Sequence, residues 1–290
     1  MNIDSFVKKI EKQHLNCEGI VVYQHGKKAA GHRWIPEAPR NVYSVSKSFT
    51  SVAIGMAIQR GKLSLDKRPV DYFPGVIRNQ GRRLQSLSLE HLLAMTRGHA
   101  RFSRPATAGE ALSQKLKYEP GSRFVYDNGS TLLASAMFTR AMGMTVLDFL
   151  AEALFAPLEI PAPEWPQSAD GHTMGATGLR LTTESLALFG LLLLQRGEWR
   201  GKQLLPPGWI DCASRAHVST RDSRRPDYDL GYGYGFWPCR HGAYRADGKD
   251  GQFVIVLPSE DAVIAVNSSE KKMAAILYAV WDEILPLLRG

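Results

Sequence analysis

An apolar run, Phe49, Val52, Ala53, Ile54, Met56, Ala57 and Ile58, follows Ser44-Val45-Ser46-Lys47 and stops at Gly61. A segment so apolar, ended by a glycine placed as a C-cap, predicts a buried helix over 44–60. Its front end carries a serine and a lysine three residues apart. That spacing is close to one helical turn, so Lys47 lies on the face of Ser44. A serine is a poor nucleophile at its free pKa and needs a base within hydrogen-bond reach. A neutral amine can take the serine proton as the oxygen attacks a carbonyl, and lysine shifts downward readily when buried or near other cations.

The pattern Ser-x-x-Lys occurs five times in the chain, so spacing alone does not single out Ser44. Ser5/Lys8 opens a charged amphipathic segment, and Ser64/Lys67 falls in a loop after a helix. Ser268/Lys271 and Ser269/Lys272 precede the last helix. Ser44 taken alone also reads as an ordinary serine at a helix start. Two motifs follow it in order. Tyr126-Asp127-Asn128 is the one Tyr-x-Asn in the chain, and Lys249-Asp250-Gly251 is the one Lys-x-Gly. Each has a plain structural alternative: a buried tyrosine beside a turn asparagine, and an Asp-Gly hairpin turn.

With the three motifs in this order, the chain resembles the class C β-lactamase and DD-peptidase family of serine hydrolases. A sister pattern carries Ser-Asp-Asn in the middle and Lys-Thr-Gly last. The likeness extends through Gly61-Lys62-Leu63-Ser64-Leu65-Asp66, Leu89-Glu90-His91-Leu92-Leu93 and Gly231-Tyr232-Gly233-Tyr234-Gly235-Phe236-Trp237. It covers the chain from about Tyr43 to about Asn267. The resemblance implies a site between a sheet and a helical unit, where the three motifs meet. Ser44 would attack an ester, amide or lactam carbonyl, and Lys47 would hold or receive its proton. Tyr126 would stand on the other side of Ser44, either as a base with a lowered pKa or as a relay to the leaving group. Asn128 would hydrogen-bond Lys47 or a substrate amide. Lys249 would supply positive charge near Tyr126 and a substrate carboxylate. The resemblance puts the oxyanion donors at the backbone N–H groups of Ser44 and Gln252. Gly248 and Gly251 would let the strand edge come close to a substrate. Asp250 departs from the threonine or small residue of many relatives, which bears on recognition of β-lactams and peptide C-termini more than on acyl transfer.

The remaining composition narrows the function classes. The net charge is +8, but the basic residues are scattered, with short clusters such as Arg221/Arg224/Arg225. Without aromatic interleaving or a nucleic-acid motif, no nucleic-acid partner is expected. A mildly basic solvated surface is expected instead, with attraction of anionic substrates as the alternative. No run of about 18 apolar residues predicts a membrane span. No Cys-x-x-Cys or His-Glu-x-x-His pattern predicts a metal, and no cofactor is expected. Cys17, Cys212 and Cys239 lie far apart and are expected to be free, buried fillers. His91 and His99 are expected to be structural, and His172 is given no role. Residues 1–6 contain no apolar h-region, which predicts a cytoplasmic protein unless a leader has been removed.

The patterning predicts an α+β protein of the β-lactamase/transpeptidase-like kind. Residues 1–70 and 176–290 supply an α/β domain with an antiparallel sheet, and 71–175 a mostly helical inserted domain. Helices are expected over 4–15, 44–60, 88–96, 107–115, 129–141, 145–153, 182–196 and 273–288. Strands are expected over 19–24, 29–34, 231–238, 242–246, 252–257 and 262–267. The function expected is a serine hydrolase working through an acyl-enzyme on a small molecule. A small carboxylic ester ranks first, a non-peptide amide or D-amino-acid peptide second, and a β-lactam last. The competing expectations are a catalytically retired fold that binds a ligand or serves assembly, and a transacylase.

Overall fold

A computed structural model describes residues 1–76, 81–221 and 226–290. Arg224 and Arg225 of the basic cluster lie outside the described residues. Six strands form one antiparallel sheet: β1 (Cys17–Gln24), β2 (Lys27–Arg33), β3 (Trp237–Pro238), β4 (Tyr244–Gly248), β5 (Gln252–Leu257) and β6 (Ala262–Ser268). Their order across the sheet is β2-β1-β6-β5-β4-β3. The first hairpin of the chain therefore docks on its last strand, with Val21 opposite Ala265 and Val22 opposite Ile264.

Side chains alternate faces along a strand, and here both faces are covered. Ile20, Val22, Phe253, Ile255, Ile264 and Val266 pack with Phe6 and Ile10 of α1 (Asp4–Lys12) and with the C-terminal helix. That helix runs as α-helix over Met273–Ala279, as a π-helical turn over Val280–Ile284, and as α-helix again over Leu285–Arg289. Val21, Val254, Val256, Val263 and Ala265 face the opposite core. There they meet Leu186, Phe189 and Leu193 of the helix Thr183–Leu194. Thr182 caps that helix, its hydroxyl accepting from Ser185 N at 3.0 Å. Gly190 sets the closeness of the packing: a Cβ there would lie 2.4 Å from Val263 Cγ1.

The helix α2 (Ser46–Gln59) and the helical stretch that follows belong to this second core. The stretch contains the helices Leu89–Leu93, Ala108–Ser113, α3 (Asn128–Met142) and Val146–Leu150. The last continues as a π-helical turn over Ala151–Phe155. Phe49 of α2 stacks on Phe189, with ring centroids 3.9 Å apart, so one apolar core joins the helices to the sheet.

One strand expectation shrinks. Of 231–238 only Trp237–Pro238 is strand. The Gly/aromatic alternation there mimics a strand period, but the glycines serve close backbone approach. A Cβ on Gly233 would sit 2.0 Å from Ala213 O, and Gly235 at φ 84° would bring one to 2.9 Å from Lys47 O. Cys212 is half-buried rather than a core filler, while Cys17 and Cys239 are buried; all three are free. Among the described residues no helix is long and apolar enough to cross a membrane on its own. Among the same residues no cluster of His, Cys, Asp or Glu could hold a metal ion.

Candidate active site

Ser44 stands at the mouth of α2, in a tight turn over Tyr43–Val45 that precedes the helix. The preceding residue, Tyr43, has φ 46°, a left-handed conformation that non-glycine residues avoid. It is held there by its own N–H donating to Asn41 Oδ1 at 2.8 Å and by the short antiparallel pair of Arg40–Asn41 with Arg180–Leu181. Strained backbone of this kind persists where the surroundings over-determine it, here directly before a serine aimed into a cavity.

Lys47 is one turn along, and only 2% of it is exposed. Its Nζ lies 3.1 Å from Ser44 Oγ, 2.8 Å from Asn128 Oδ1 and 2.9 Å from the Ala176 carbonyl oxygen. It also sits 4.8 Å from the centroid of the Tyr126 ring. Burial pulls its pKa down to about 7; the Asp127 carboxylate opposes the shift and the Arg104 guanidinium adds to it. Asn128 Oδ1 and the Ala176 carbonyl can only accept, so each takes an N–H bond from Lys47. The third contact runs from Nζ to Ser44 Oγ; with the amine neutral, its lone pair can accept from the Ser44 hydroxyl there.

Tyr126 flanks Ser44 from the other side. Burial pushes its phenol well above the usual tyrosine range; a hydrogen bond with Ser44 pulls the other way, and the Asp247 carboxylate pushes it further up. The ring stacks on Trp237 at 6.0 Å and meets Tyr232 edge-on at 5.9 Å. Burial and Asp247 together favour the neutral phenol over the phenolate, the form suited to a relay.

Asp127, between Tyr126 and Asn128, escaped notice in the sequence and holds the motif together. Its Oδ2 caps α3 by accepting from Ser130 N at 3.0 Å. It pairs with the buried Arg97, Nε to Oδ2 2.8 Å, and its Oδ1 accepts from the Ser103 N–H and hydroxyl at 2.9 and 2.6 Å. An Asp directly before a helix is a capping signal. Arg97, from a distant segment, had no signal at all.

Of the third motif and the residue after it, Lys249 is the one that lines the Ser44 pocket. Lys249, Asp250 and Gly251 form the turn between β4 and β5, and Gly248 opposite Gln252 closes that hairpin. Asp250 and Gly251 take φ of 62° and 86°. Lys249 lines the Ser44 pocket, exposed, with Nζ 3.6 Å from Asp250 Oδ2. Gly251 and Gln252 do not line it. A Cβ on Gly251 would meet Ser268 and Ile276, on the face of the C-terminal helix, and Asn267 Nδ2 donates to the buried Gln252 Oε1 at 2.8 Å. The strand residue that approaches the serine turn is Gly248, where a Cβ would lie 2.3 Å from Val42 O. The pocket, about 390 Å³, is walled by Leu132, Met174, Pro105 and Phe102, with Arg104 and Lys249 as its cations. His91 caps Leu89–Leu93 with Ser88, and neither it, His99 nor His172 lines the pocket.

The sequence profile described as Beta-lactamase matches residues 3–285. The chain belongs to the beta-lactamase family. Within the family, a Beta-lactamase of Escherichia coli (strain K12) is 27% identical over 124 residues, 40% of this chain. That match spans 32% of the E. coli protein, about a third of its length. Among solved structures, a protein assigned as a 6-aminohexanoate-dimer hydrolase from Bacillus anthracis superposes with TM-score 0.80 at 19% identity, over 97% of this chain and 81% of that one. An octameric penicillin-binding protein homologue from Pyrococcus abyssi gives 0.77 at 18% identity, over 99% and 78%. A penicillin binding protein from Bacillus halodurans gives 0.75 at 17%, over 96% and 99%. These likenesses establish the shared fold, an antiparallel sheet flanked by helices.

Proposed function

We propose that this member of the family is a serine hydrolase working through an acyl-enzyme, with a small carboxylic ester as its first substrate class. The observation that carries the proposal is the setting of Lys47: buried, poised near neutral pH, and 3.1 Å from Ser44 Oγ. Ser44 Oγ attacks the carbonyl carbon while its proton passes to Lys47 Nζ. The C–O bond to the leaving alcohol then breaks, and the proton passes on to that alcohol. Tyr126, a neutral phenol against Ser44, is the relay on the leaving side. Water attacks the acyl-enzyme, its proton goes to Lys47, and Ser44 leaves with that proton restored. The oxyanion donors are proposed at the backbone N–H of Ser44 and at the Gly248–Lys249 end of β4, because Gly248 approaches the serine turn and Gln252 does not line the pocket. Asn128 holds Lys47 in place.

Esters rank first because they are intrinsically easier to cleave and because Asp250 beside Lys249 weakens that lysine as a carboxylate anchor. A non-peptide amide is the second reading, favoured by the neighbour assigned as a 6-aminohexanoate-dimer hydrolase. Turnover of a short-chain 4-nitrophenyl ester beside the Ser44→Ala variant tests the proposal. Turnover lost in the variant supports it; turnover that survives sinks the mechanism; inactivity in both favours an amide-selective enzyme or a retired binding fold.

A further inference from the structure

The Ser44 pocket is lined by two cations, Arg104 and Lys249, and by no carboxylate. Both are exposed, and they differ in their partners. Lys249, at the β4–β5 turn, shares its charge with Asp250 at 3.6 Å. Among the described residues Arg104 forms no ion pair. Its guanidinium lies over the Phe102 ring, 5.2 Å from the centroid, and Phe102 lines the same pocket.

The guanidinium rises from an anchored stretch of chain. Ser103, immediately before it, donates twice to Asp127, the capping residue between Tyr126 and Asn128. Pro105, immediately after it, is buried and lines the pocket. Arg104 is therefore tied to the segment that carries Tyr126 and Asn128, on the helical side of the serine. Its charge reaches far enough to depress the pKa of Lys47. A planar guanidinium offers donors in a fork that matches a carboxylate, and the apolar walls Leu132 and Met174 leave few competing polar partners.

We infer that Arg104 is a specificity-determining residue, which selects substrates bearing a second, anionic group a few carbons from the carbonyl that Ser44 attacks. The natural substrate class is then a half-ester or half-amide of a short dicarboxylic acid, its hydrocarbon chain against Leu132 and Met174 and its free carboxylate on Arg104. Lys249, partly neutralised by Asp250, serves as a secondary attraction at the rim.

The kinetic arm of the test rests on the hydrolase proposed above; the binding arm does not. Two 4-nitrophenyl esters of equal chain length, the hemiglutarate and the pentanoate, differ in a terminal carboxylate against a methyl. Wild-type protein is expected to favour the hemiglutarate by about 10-fold or more in kcat/KM, the scale of one charge-assisted hydrogen bond. Arg104→Gln is expected to reduce that preference about 10-fold, mainly through KM, and Arg104→Glu to invert it. Arg104→Lys is expected to keep part of it. An equal preference ratio in wild type and Arg104→Gln overturns the inference. Calorimetry on Ser44→Ala, which leaves the esters intact, decides the question if no ester is turned over. Hemiglutarate bound at least about 10-fold more weakly once Arg104→Gln is added supports it. The same Kd with and without Arg104, or no binding of the hemiglutarate, overturns it. Loss of turnover with Arg104-dependent binding intact fails the hydrolase proposal alone.

Discussion

Lys47 gives the clearest chemical consequence of a single residue. Its neutral form is the base, so kcat/KM is expected to rise with pH and level off above about 7, the value to which burial brings it. A pH–rate profile on any turned-over ester checks this, and a limb centred near ~10, where an unperturbed lysine titrates, would refute it. Lys47→Arg is expected to leave below ~0.1% of kcat/KM, because a guanidinium stays protonated and cannot accept the serine proton. The same residue tilts stability. Its folded pKa, about 7, lies below the ~10.4 of an unfolded chain, so between those values the unfolded state binds more protons. Stability therefore rises as pH increases through that window and has lost this contribution below it. Urea midpoints at pH 7 and pH 9 are expected to differ in wild type and to converge in Lys47→Met.

At the level of elements, α3 is both a core helix and the bracket of the site. Asp127 caps it, accepts from Ser103 and neutralises Arg97, whose guanidinium is itself buried. Asp127→Ala removes the cap and strands a buried cation, so a loss of about 3–5 kcal/mol in unfolding free energy is expected by chemical denaturation. Activity is expected to fall with it, since Asn128 and Tyr126 lose their anchor. Gly190→Ala is expected to destabilise through overpacking, by roughly 1–3 kcal/mol, because Val263 and Val254 occupy the space a methyl would need. The contrast between these elements explains what could be read from sequence. Ser44 with Lys47, and Tyr126 with Asn128, were legible because each pair lies within a turn of chain. The long apolar helices and the β5–β6 hairpin were legible from their own periodicity. The surroundings of the Gln252 side chain were not legible because they depend on where the β4–β5 hairpin closes, a matter of register rather than of motif. Arg97 and the Ala176 carbonyl carry no local mark, since their partners lie 30 and 129 residues away in the chain. The stretch 231–236 was misread because glycines spaced for close packing imitate a strand.

For the whole molecule, the proposed units 1–70 with 176–290 and 71–175 share an apolar core. Phe49, Phe189, Leu133 and Val254 share one apolar cluster, which spans the sheet face, α2 and the helical stretch. We therefore expect one cooperative unfolding transition, with tryptophan fluorescence and far-ultraviolet ellipticity coincident in urea. Two separated transitions would show that the helical stretch opens by itself. The sheet adds a further consequence, in time rather than in energy. β1 lies between β2 and β6, so residues near position 20 wait for residues near position 265 before the sheet can close. A chain leaving the ribosome carries this hairpin with an open apolar edge until β6 has emerged. Closure waits for β6, and so non-local a pairing is expected to fold slowly, with a yield that depends on what shelters that hairpin meanwhile.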